Sequence, residues 1–316
     1  MKVTNPKKLV QDIQENIENV IVGKSDVIRL ILIALMAGGH VLIEDVPGVG
    51  KTTLVSCLAR SLNLSFKRIQ FTPDILPSDI TGFSMYNFKT GEMEFHPGMI
   101  MSQVILADEI NRTSPKTQSS LLEVMEERQV TVDGKTYPVP EPFIVLATQN
   151  PVEYIGTYPL PEAQLDRFFM KVSIGYPTKR DEMFILSRFQ TRNPLKDLQP
   201  VASAQQVLKI QERVKHITVA EAIKEYIAEI VALTREHNDL TLGASPRGAL
   251  ALMRASQAYA MLEDRDYVIP DDVQKMVTPV LAHRLILKPE ARLKEMTVER
   301  ILKSILNTVY VPVIRT

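Results

Sequence analysis

The segment VLIEDVPGVGKTTL, residues 41–54, constrains the fold more strongly than any other part of this 316-residue chain. Its first apolar residues predict a buried strand, a glycine-containing turn follows, and helical sequence begins at Lys51. Glycine lets backbone N–H groups approach an anion closely, and the first turn of a helix attracts negative charge. The Lys51 ammonium suits a phosphate and the Thr52 hydroxyl suits Mg²⁺. The segment therefore predicts a phosphate-binding loop between a strand and a helix.

The predicted loop departs from the usual pattern at one position. The pattern GxxxxGK[ST] has its first glycine at position 45, where this chain has Asp45. We interpret Asp45 as the end of the strand, because Gly48 and Gly50 lie closer to the expected phosphates. The residues predicted to contact a nucleotide in this loop are Pro47, Gly48, Val49, Gly50, Lys51, Thr52 and Thr53.

Short apolar strands alternate with helices from residue 41 to about residue 174. Such alternation predicts a parallel sheet with helices on both faces, which is a three-layered α/β domain. We assign residues 1–177 to this domain, with an amphipathic helix at its start. Beyond residue 177 the apolar residues recur only at helical spacing. That change predicts an all-α domain over residues 178–316.

Two segments interrupt the alternation, at about 84–96 and 129–139, and both predict β-hairpins. The second contains Asp-Gly, which favours the tight turn of a hairpin. Because strand side chains alternate, each hairpin places two apolar residues on one face, and we expect these faces to contact a partner protein. Packing of each hairpin against its own domain is the alternative. The residues concerned are Tyr86, Phe88, Val130 and Val132.

A second chemical element follows the loop, in the sequence VILADE at residues 104–109. Its apolar residues predict a central strand that presents two carboxylates at its end. Asp108 would support the shell of a bound Mg²⁺, and Glu109 would polarise an attacking water. A later strand ends just before Asn150, whose amide could bind a phosphate or that water. A structural Asn-Pro turn is the alternative for Asn150.

Two arginines complete the candidate site. Arg167 directly precedes the last predicted strand, where a charge near a buried sheet requires an anionic partner; Asp166 or Glu162 could be that partner instead of a phosphate. Arg247 lies in the first turn of a helix that begins after Ser245, where the helix dipole disfavours a cation. We interpret it as a ligand for an anion, with a solvated arginine as the alternative.

Charge and cysteine content exclude several classes of function. Lys and Arg number 37 and Asp and Glu number 37, so the formal net charge is zero and nonspecific binding to nucleic acid is not expected. The one cysteine, Cys57, cannot form an internal disulfide, and the N-terminus lacks the apolar core of a signal peptide. No apolar run reaches the roughly 20 residues that span a membrane. A cytoplasmic location is therefore expected.

Four segments together resemble the MoxR family of AAA+ ATPases, in the clade with a helix-2 insertion that includes magnesium chelatase subunits. The resemblance covers nearly the whole chain and implies a P-loop AAA+ domain, with ATP and Mg²⁺ as cofactors, followed by a helical lid. The segments lie at residues 41–53, 106–134, 147–172 and 243–250.

The resemblance also implies a role for each candidate residue. Lys51 and Thr52 would bind nucleotide and Mg²⁺, Asp108 and Glu109 would form the Walker B pair, and Asn150 would be sensor 1. Arg167 would be an arginine finger for a neighbouring subunit, with Arg112 as the competing candidate, and Arg247 would be sensor 2. Val22 and Gly23 would line the adenine pocket.

Members of this family are typically hexameric and chaperone-like, and often work with von Willebrand factor A domain proteins. The resemblance therefore implies a homo-oligomer, a hexamer by preference, that hydrolyses ATP to remodel a protein client. A nucleotide-gated scaffold with little turnover and a nucleic-acid motor are the alternatives.

Overall fold

The computed structural model describes residues 5–150, 156–190 and 194–313, and its strands form one five-stranded sheet and three two-stranded ribbons. The large sheet contains β1 (Val41–Glu44), β2 (Phe66–Gln70), β5 (Val104–Asp108), β8 (Ile144–Gln149) and β9 (Met170–Val172). The ribbons pair β3 (Gly82–Asn87) with β4 (Glu92–Pro97), β6 (Gln129–Val132) with β7 (Lys135–Pro138), and β10 (Leu240–Leu242) with β11 (Ile286–Leu287). Residues 151–155, part of one resembling segment, lie outside the described residues.

The five-stranded sheet is parallel throughout, in the order β2-β5-β8-β1-β9, which confirms the predicted α/β fold. Strand β5 is buried along its whole length, because helices cover both faces of the sheet. Gln70 on β2 pairs with Asp108 on β5, and Glu44 on β1 pairs with Gln149 on β8. The carboxyl ends of these strands therefore lie along one edge of the sheet.

The helices begin where local capping signals predict them to begin. The Asn5 side chain accepts a hydrogen bond from the Lys7 N–H at 2.9 Å, and Pro6 occupies the first helical position. The helices of the described residues are α1 (Pro6–Glu18), α2 (Ser25–Met36), α3 (Lys51–Ser61), α4 (Pro77–Thr81), α5 (Pro115–Glu127), α6 (Glu162–Leu165), α7 (Lys179–Phe189), α8 (Pro194–Asp197), α9 (Ala204–Lys215), α10 (Glu221–Glu236), α11 (Pro246–Leu262), α12 (Pro270–Leu281), α13 (Pro289–Leu293) and α14 (Val298–Thr308).

Two apolar clusters cover the two faces of the sheet. Along β5, Leu106 contributes to the first cluster and Ile105 to the second, as the alternation of strand side chains requires. The first cluster runs from α1, α2 and α3 into the helices after residue 178, and Arg29 on α2 pairs with Glu263 beyond α11. The N-terminal helices therefore connect the sheet to the C-terminal helices. The division at residue 177 stays a prediction.

The C-terminal region is helical, as predicted, apart from one short ribbon. Strands β10 and β11 pair antiparallel, Leu240 with Leu287, although helical periodicity had indicated no strand beyond residue 177. Two- and three-residue strands are too short to produce a recognisable alternation of apolar residues. The expectation of an all-α domain therefore needs this small correction.

The two hairpins contact each other, and they differ in exposure. Phe95 on β4 stacks on Tyr137 on β7, with ring centroids 3.9 Å apart. Phe88 is 91% exposed at the tip of the first hairpin, and Tyr86 packs edge-on against it. Val130 is only 2% exposed and joins the second apolar cluster, so its predicted exposure is wrong. The short second hairpin lies against its own domain at this position.

Candidate nucleotide-binding site

A cavity of about 380 Å³ opens at the carboxyl edge of the sheet, between the turn that follows β1 and the ends of β2, β5 and β8. It contains most of the residues that the sequence predicts for phosphate and metal binding, together with three that the sequence did not single out. The lining residues are Pro47, Gly48, Gly50, Lys51, Thr52, Thr53, Arg68, Gln70, Asp108, Glu109, Thr148 and Asn150.

The turn after β1 has the backbone conformation of a phosphate cradle. Gly48 and Gly50 have φ of +85° and +87°, values that residues with a Cβ rarely adopt, and no atom lies within 4 Å of a Cβ added at either. Helix α3 begins directly afterwards, at Lys51. The Lys51 ammonium donates to the Asp45 and Val46 carbonyls at 3.0 and 3.2 Å. Val49 packs against the first apolar cluster, so only its backbone could serve the cradle.

The Asp45 carboxylate is buried and binds the chain after β9. It accepts hydrogen bonds from the backbone N–H groups of Ile174 and Gly175, the latter at 2.7 Å, and from the Ser173 hydroxyl at 3.3 Å. Asp45 therefore connects two neighbouring strand ends. This placement accounts for a carboxylate at a position where other phosphate loops have glycine.

Asp108 has hydrogen-bond donors at both carboxylate oxygens. The Thr148 hydroxyl donates to Oδ1 at 2.7 Å, and the Arg68 guanidinium donates to Oδ2 through Nε at 3.1 Å and Nη2 at 2.6 Å. The Asp108 side chain is 11% exposed, whereas Arg68 is 47% exposed. The neighbouring strands β2 and β8 thus supply the two partners that fix the orientation of Asp108.

Glu109 follows β5 in a left-handed backbone conformation, with φ of +58°. Its N–H donates to the Thr148 hydroxyl at 2.9 Å, and its carboxylate accepts from the Gln70 amide at 2.8 Å. Arg112 also pairs with this carboxylate, its Nε lying 3.1 Å from Glu109 Oε2. Backbone strain of this kind recurs at functional sites, where surrounding contacts stabilise it.

Asn150 lies at the end of β8, where the sequence places it. Asn150 lines the cavity and is only 7% exposed. Asp108 ends β5 and Asn150 directly follows the adjacent strand β8, so a residue with a carboxylate and one with an amide line the same cavity.

Arg167 and Arg247 do not line the cavity but converge on Glu126, near the end of α5. Arg167 Nε lies 3.4 Å from one Glu126 oxygen, and Arg247 pairs with the other. The alternative partner considered for Arg167, Asp166, instead binds Arg284 and the Ser245 hydroxyl, each at 2.8 Å.

Val22 lines a second cavity, of about 500 Å³, between the N-terminal helices and α7. Arg180, Met183 and Phe184 of α7 face the same space. Gly23 has φ of +69°, and a Cβ added there would lie 2.5 Å from an Asp181 carboxylate oxygen. The left-handed conformation favours glycine at this position, and a Cβ there would also force the Asp181 side chain to move.

Three lining residues were not predicted: Arg68, Gln70 and Thr148. Alternation along β2 places Arg68 and Gln70 on one face, and Thr148 precedes Asn150 by two residues on β8. Polar residues at alternate positions near the ends of strands were the signal that could have identified them. Using that signal required knowing that β2 and β8 both lie beside β5.

The donor set fits Mg²⁺ bound with a nucleotide. Mg²⁺ prefers hard oxygen ligands, and proteins usually hold it through one or two side chains while phosphates and waters complete its shell. The Thr52 hydroxyl and the Asp108 carboxylate line the same cavity as the glycine turn. No group of three or more His, Cys, Asp or Glu side chains that could hold a metal occurs within residues 5–150, 156–190 and 194–313.

The fold and this cavity define a P-loop ATPase of the AAA class with a helical lid. Residues 40–170 match the family model described as ATPase family associated with various cellular activities (AAA), and residues 232–305 match the AAA lid domain. The chain belongs to the MoxR family of AAA+ ATPases, as predicted, and ATP hydrolysis is the activity of that class.

Individual relatives span nearly the whole chain. The uncharacterized protein YeaC of Bacillus subtilis is 56% identical over 96% of this chain and 94% of its own length. Chaperone MoxR1 of Mycobacterium tuberculosis is 41% identical over 94% of this chain and 80% of its own. The crystal structure of a candidate ATPase from Cytophaga hutchinsonii superimposes with a TM-score of 0.90 at 41% identity, covering 97% of this chain and 96% of that one. Among the described residues, no helix is long and apolar enough to cross a membrane.

Proposed function

We propose that this chain binds Mg²⁺-ATP in the 380 Å³ cavity and hydrolyses it, as a hexameric ring, to remodel a protein client. The observation that carries the proposal is that the glycine turn, the Asp108–Glu109 pair and Asn150 line one cavity. A phosphate cradle alone indicates only binding. A cradle that faces two carboxylates and an amide provides groups for the metal, for the water and for the transferred phosphoryl group.

Each residue has one task in the proposed reaction. Lys51 moves from the Asp45 and Val46 carbonyls to the nucleotide phosphates, because its positive charge interacts more strongly with an anion than with neutral carbonyls. Bound Mg²⁺ would neutralise phosphate charge and orient the γ-phosphoryl group. Asp108 and the Thr52 hydroxyl would hold that ion. Glu109 accepts a proton from the attacking water. The hydrogen bond from its backbone N–H to the Thr148 hydroxyl holds the Glu109 backbone in place and so orients the carboxylate.

The base of the nucleotide is proposed to lie between the Val22–Gly23 segment and α7. Val22, Met183 and Phe184 supply apolar surface around the second cavity, which Arg180 also lines. The lid helix α7 would therefore contact the base directly. That contact would link nucleotide binding to the position of the lid.

Arg167 is proposed to act on the nucleotide of a neighbouring subunit. It lies outside the cavity that contains Lys51 and Glu109, and it pairs with Glu126 at 3.4 Å. The Arg167 side chain is one-third exposed. An arginine that neutralises the transferring phosphoryl group contributes about 10³- to 10⁵-fold to kcat in GTPases. A head-to-tail ring would bring this edge of one subunit to the next subunit's cavity. Arg112 pairs with Glu109 of its own subunit, which favours Arg167 as the finger.

Mixing two inactive variants tests the ring and the finger together. Lys51→Ala retains its finger and Arg167→Ala retains its cradle, so mixed rings should recover part of the ATPase activity. The matched mixture pairs Lys51→Ala with Arg112→Ala and should stay inactive, because Arg112 serves its own subunit. Recovery with Arg112→Ala but not with Arg167→Ala, in rings shown to be mixed, would assign the finger to Arg112.

The client is proposed to contact the hairpin of β3 and β4. Several of its apolar side chains are unusually exposed for the surface of a globular protein, including Phe88 at 91% and Met85 at 52%. A von Willebrand factor A domain protein is the proposed class of partner, and the cytoplasm is the proposed compartment. Chaperone is part of the name of the MoxR1 relative, which supports a protein client here.

A further inference from the structure

Arg68 occupies the carboxylate that the proposed metal site requires. We propose that Arg68 is a displaceable counter-ion of Asp108 that competes with Mg²⁺ for the Oδ2 oxygen, and that its release frees Gln70 to change its contact with Glu109. The inference rests on the proposed Mg²⁺-ATP site and adds to it a residue on β2. Binding of the metal at Asp108 would thus change the hydrogen bonding of Glu109 through Arg68.

The geometry places Arg68 in direct competition with a metal ion. Its Nε and Nη2 both donate to the same oxygen, Asp108 Oδ2, at 3.1 and 2.6 Å. The other oxygen accepts from the Thr148 hydroxyl. Both lone pairs of Oδ2 are therefore used by Arg68. A hydrated Mg²⁺ also needs a carboxylate lone pair, either directly or through a bound water.

Arg68 can leave Asp108 without disturbing the core. Strand β2 is at the edge of the sheet, and the Arg68 side chain is 47% exposed. An ion pair with one exposed partner contributes little net stability, because water solvates the released guanidinium. Asp108 itself is 11% exposed and held by Thr148, so the carboxylate remains in place for the metal.

The release of Arg68 would be transmitted through Gln70. Arg68 Nη2 donates to Gln70 Oε1 at 2.6 Å, and Gln70 Nε2 donates to Glu109 Oε2 at 2.8 Å. A guanidinium has no acceptor, so it obliges the amide oxygen of Gln70 to face it and the amide NH₂ to face Glu109. Without Arg68 the amide is free to rotate. The amide group that donates to Glu109 is then no longer held in one orientation.

The test measures how strongly Mg²⁺ improves nucleotide binding. A fluorescent, non-hydrolysable ATP analogue is titrated in excess Mg²⁺ and in EDTA. The Kd in EDTA divided by the Kd in Mg²⁺ measures how much the metal strengthens nucleotide binding. In Arg68→Met this ratio should rise by about 3- to 10-fold, because the metal no longer displaces an ion pair. Lys67→Met removes the same charge one residue earlier, from a side chain on the opposite face of β2, and should leave the ratio within about twofold.

Two more substitutions of Arg68 separate the effect of its charge from an effect on folding. Arg68→Gln also lacks the charge and should raise the ratio similarly. It replaces Arg68→Met in the test if that variant does not fold. Arg68→Lys retains the charge and should lie between the wild type and Arg68→Met. An unchanged or smaller ratio in a folded Arg68→Met would overturn the inference, a smaller one indicating that Arg68 serves the phosphates. If the wild-type chain bound no nucleotide in either buffer, the proposed function itself would fail. If the wild type bound nucleotide normally and only the Arg68 variants departed from expectation, the inference alone would fail.

Discussion

Arg247, in the first turn of the lid helix α11, forms an ion pair with Glu126 of the sheet domain. Arg167 contacts the other oxygen of the same carboxylate, so the two candidate phosphate ligands are joined through one residue. Asp166, which precedes Arg167 in the chain, pairs with Arg284, whose side chain is only 2% exposed. The contact between the lid and the sheet domain thus combines two partly exposed ion pairs at Glu126 with one buried pair at Arg284.

The buried pair should dominate the stability of this contact. Asp166→Asn leaves the Arg284 guanidinium buried without a countercharge, and burial already lowers the pKa of that group. We expect a loss of about 3 kcal/mol in the free energy of unfolding. Glu126→Gln breaks pairs whose side chains are about one-third exposed or more and should cost less than about 1 kcal/mol. Denaturant unfolding measures both, and a larger loss for Glu126→Gln would contradict the assignment.

Asp45 should matter for folding rather than for nucleotide affinity. Asp45→Gly removes a buried carboxylate that accepts from the Gly175 N–H, and should cost about 2 kcal/mol of stability. ATP affinity of the folded variant should change by less than about tenfold, since the carboxylate faces away from the cradle. Calorimetry at low salt checks this. A gain of tenfold or more would mean that the carboxylate repels the phosphates.

Acid should destabilise the chain through His40. Burial lowers the pKa of His40 to about 4 from 6.5, and its neighbours fix the neutral form: Nδ1 accepts from the Val145 N–H, and Nε2 faces the Met125 carbonyl. The unfolded chain binds the proton first, so this stability is present above pH 6.5 and is lost as the pH falls towards 4. The full loss is about 3 kcal/mol.

The measurement is the free energy of unfolding at several pH values, with His40→Gln as the control. Glutamine can donate to the carbonyl and accept from the N–H, but it does not titrate. His283, whose pKa burial also lowers, remains in both proteins and contributes the same slope. The wild type should therefore lose more stability than His40→Gln between pH 6.5 and 4. Equal losses would show that His40 is not responsible.

The exposed hairpin should be dispensable for hydrolysis and required for the client. Replacing Tyr86 and Phe88 by Ser should leave basal ATPase activity within about twofold and remove stimulation by a client, because both side chains are exposed at the hairpin tip. Replacing the buried Val130 by Ser is the contrasting variant and should reduce stability. Loss of folding in the Tyr86/Phe88 variant would show instead that the hairpin packs against its own domain.

The sequence predicts the parts of the site that are local. The glycine turn, Asp108, Glu109 and Asn150 each end or directly follow a strand, so their positions depend only on the strands being parallel neighbours. The partners of Arg167 and Arg247 depend on how the lid packs, and Glu126 is separated from Arg247 by 121 residues. Arg68 and Gln70 were missed because their importance depends on β2 lying beside β5. Pairings between distant segments follow from packing, which periodicity does not encode.

Nucleotide titration of Lys51→Ala and Glu109→Gln tests the central claim most directly, since the claim assigns phosphate binding to one residue and water activation to the other. Calorimetry with ATP and Mg²⁺ should show binding weakened by at least about tenfold in Lys51→Ala. Glu109→Gln should bind within about threefold of the wild type while its kcat falls by about 10²- to 10⁴-fold. Normal ATP affinity in a folded Lys51→Ala, or normal turnover in Glu109→Gln, would contradict the account.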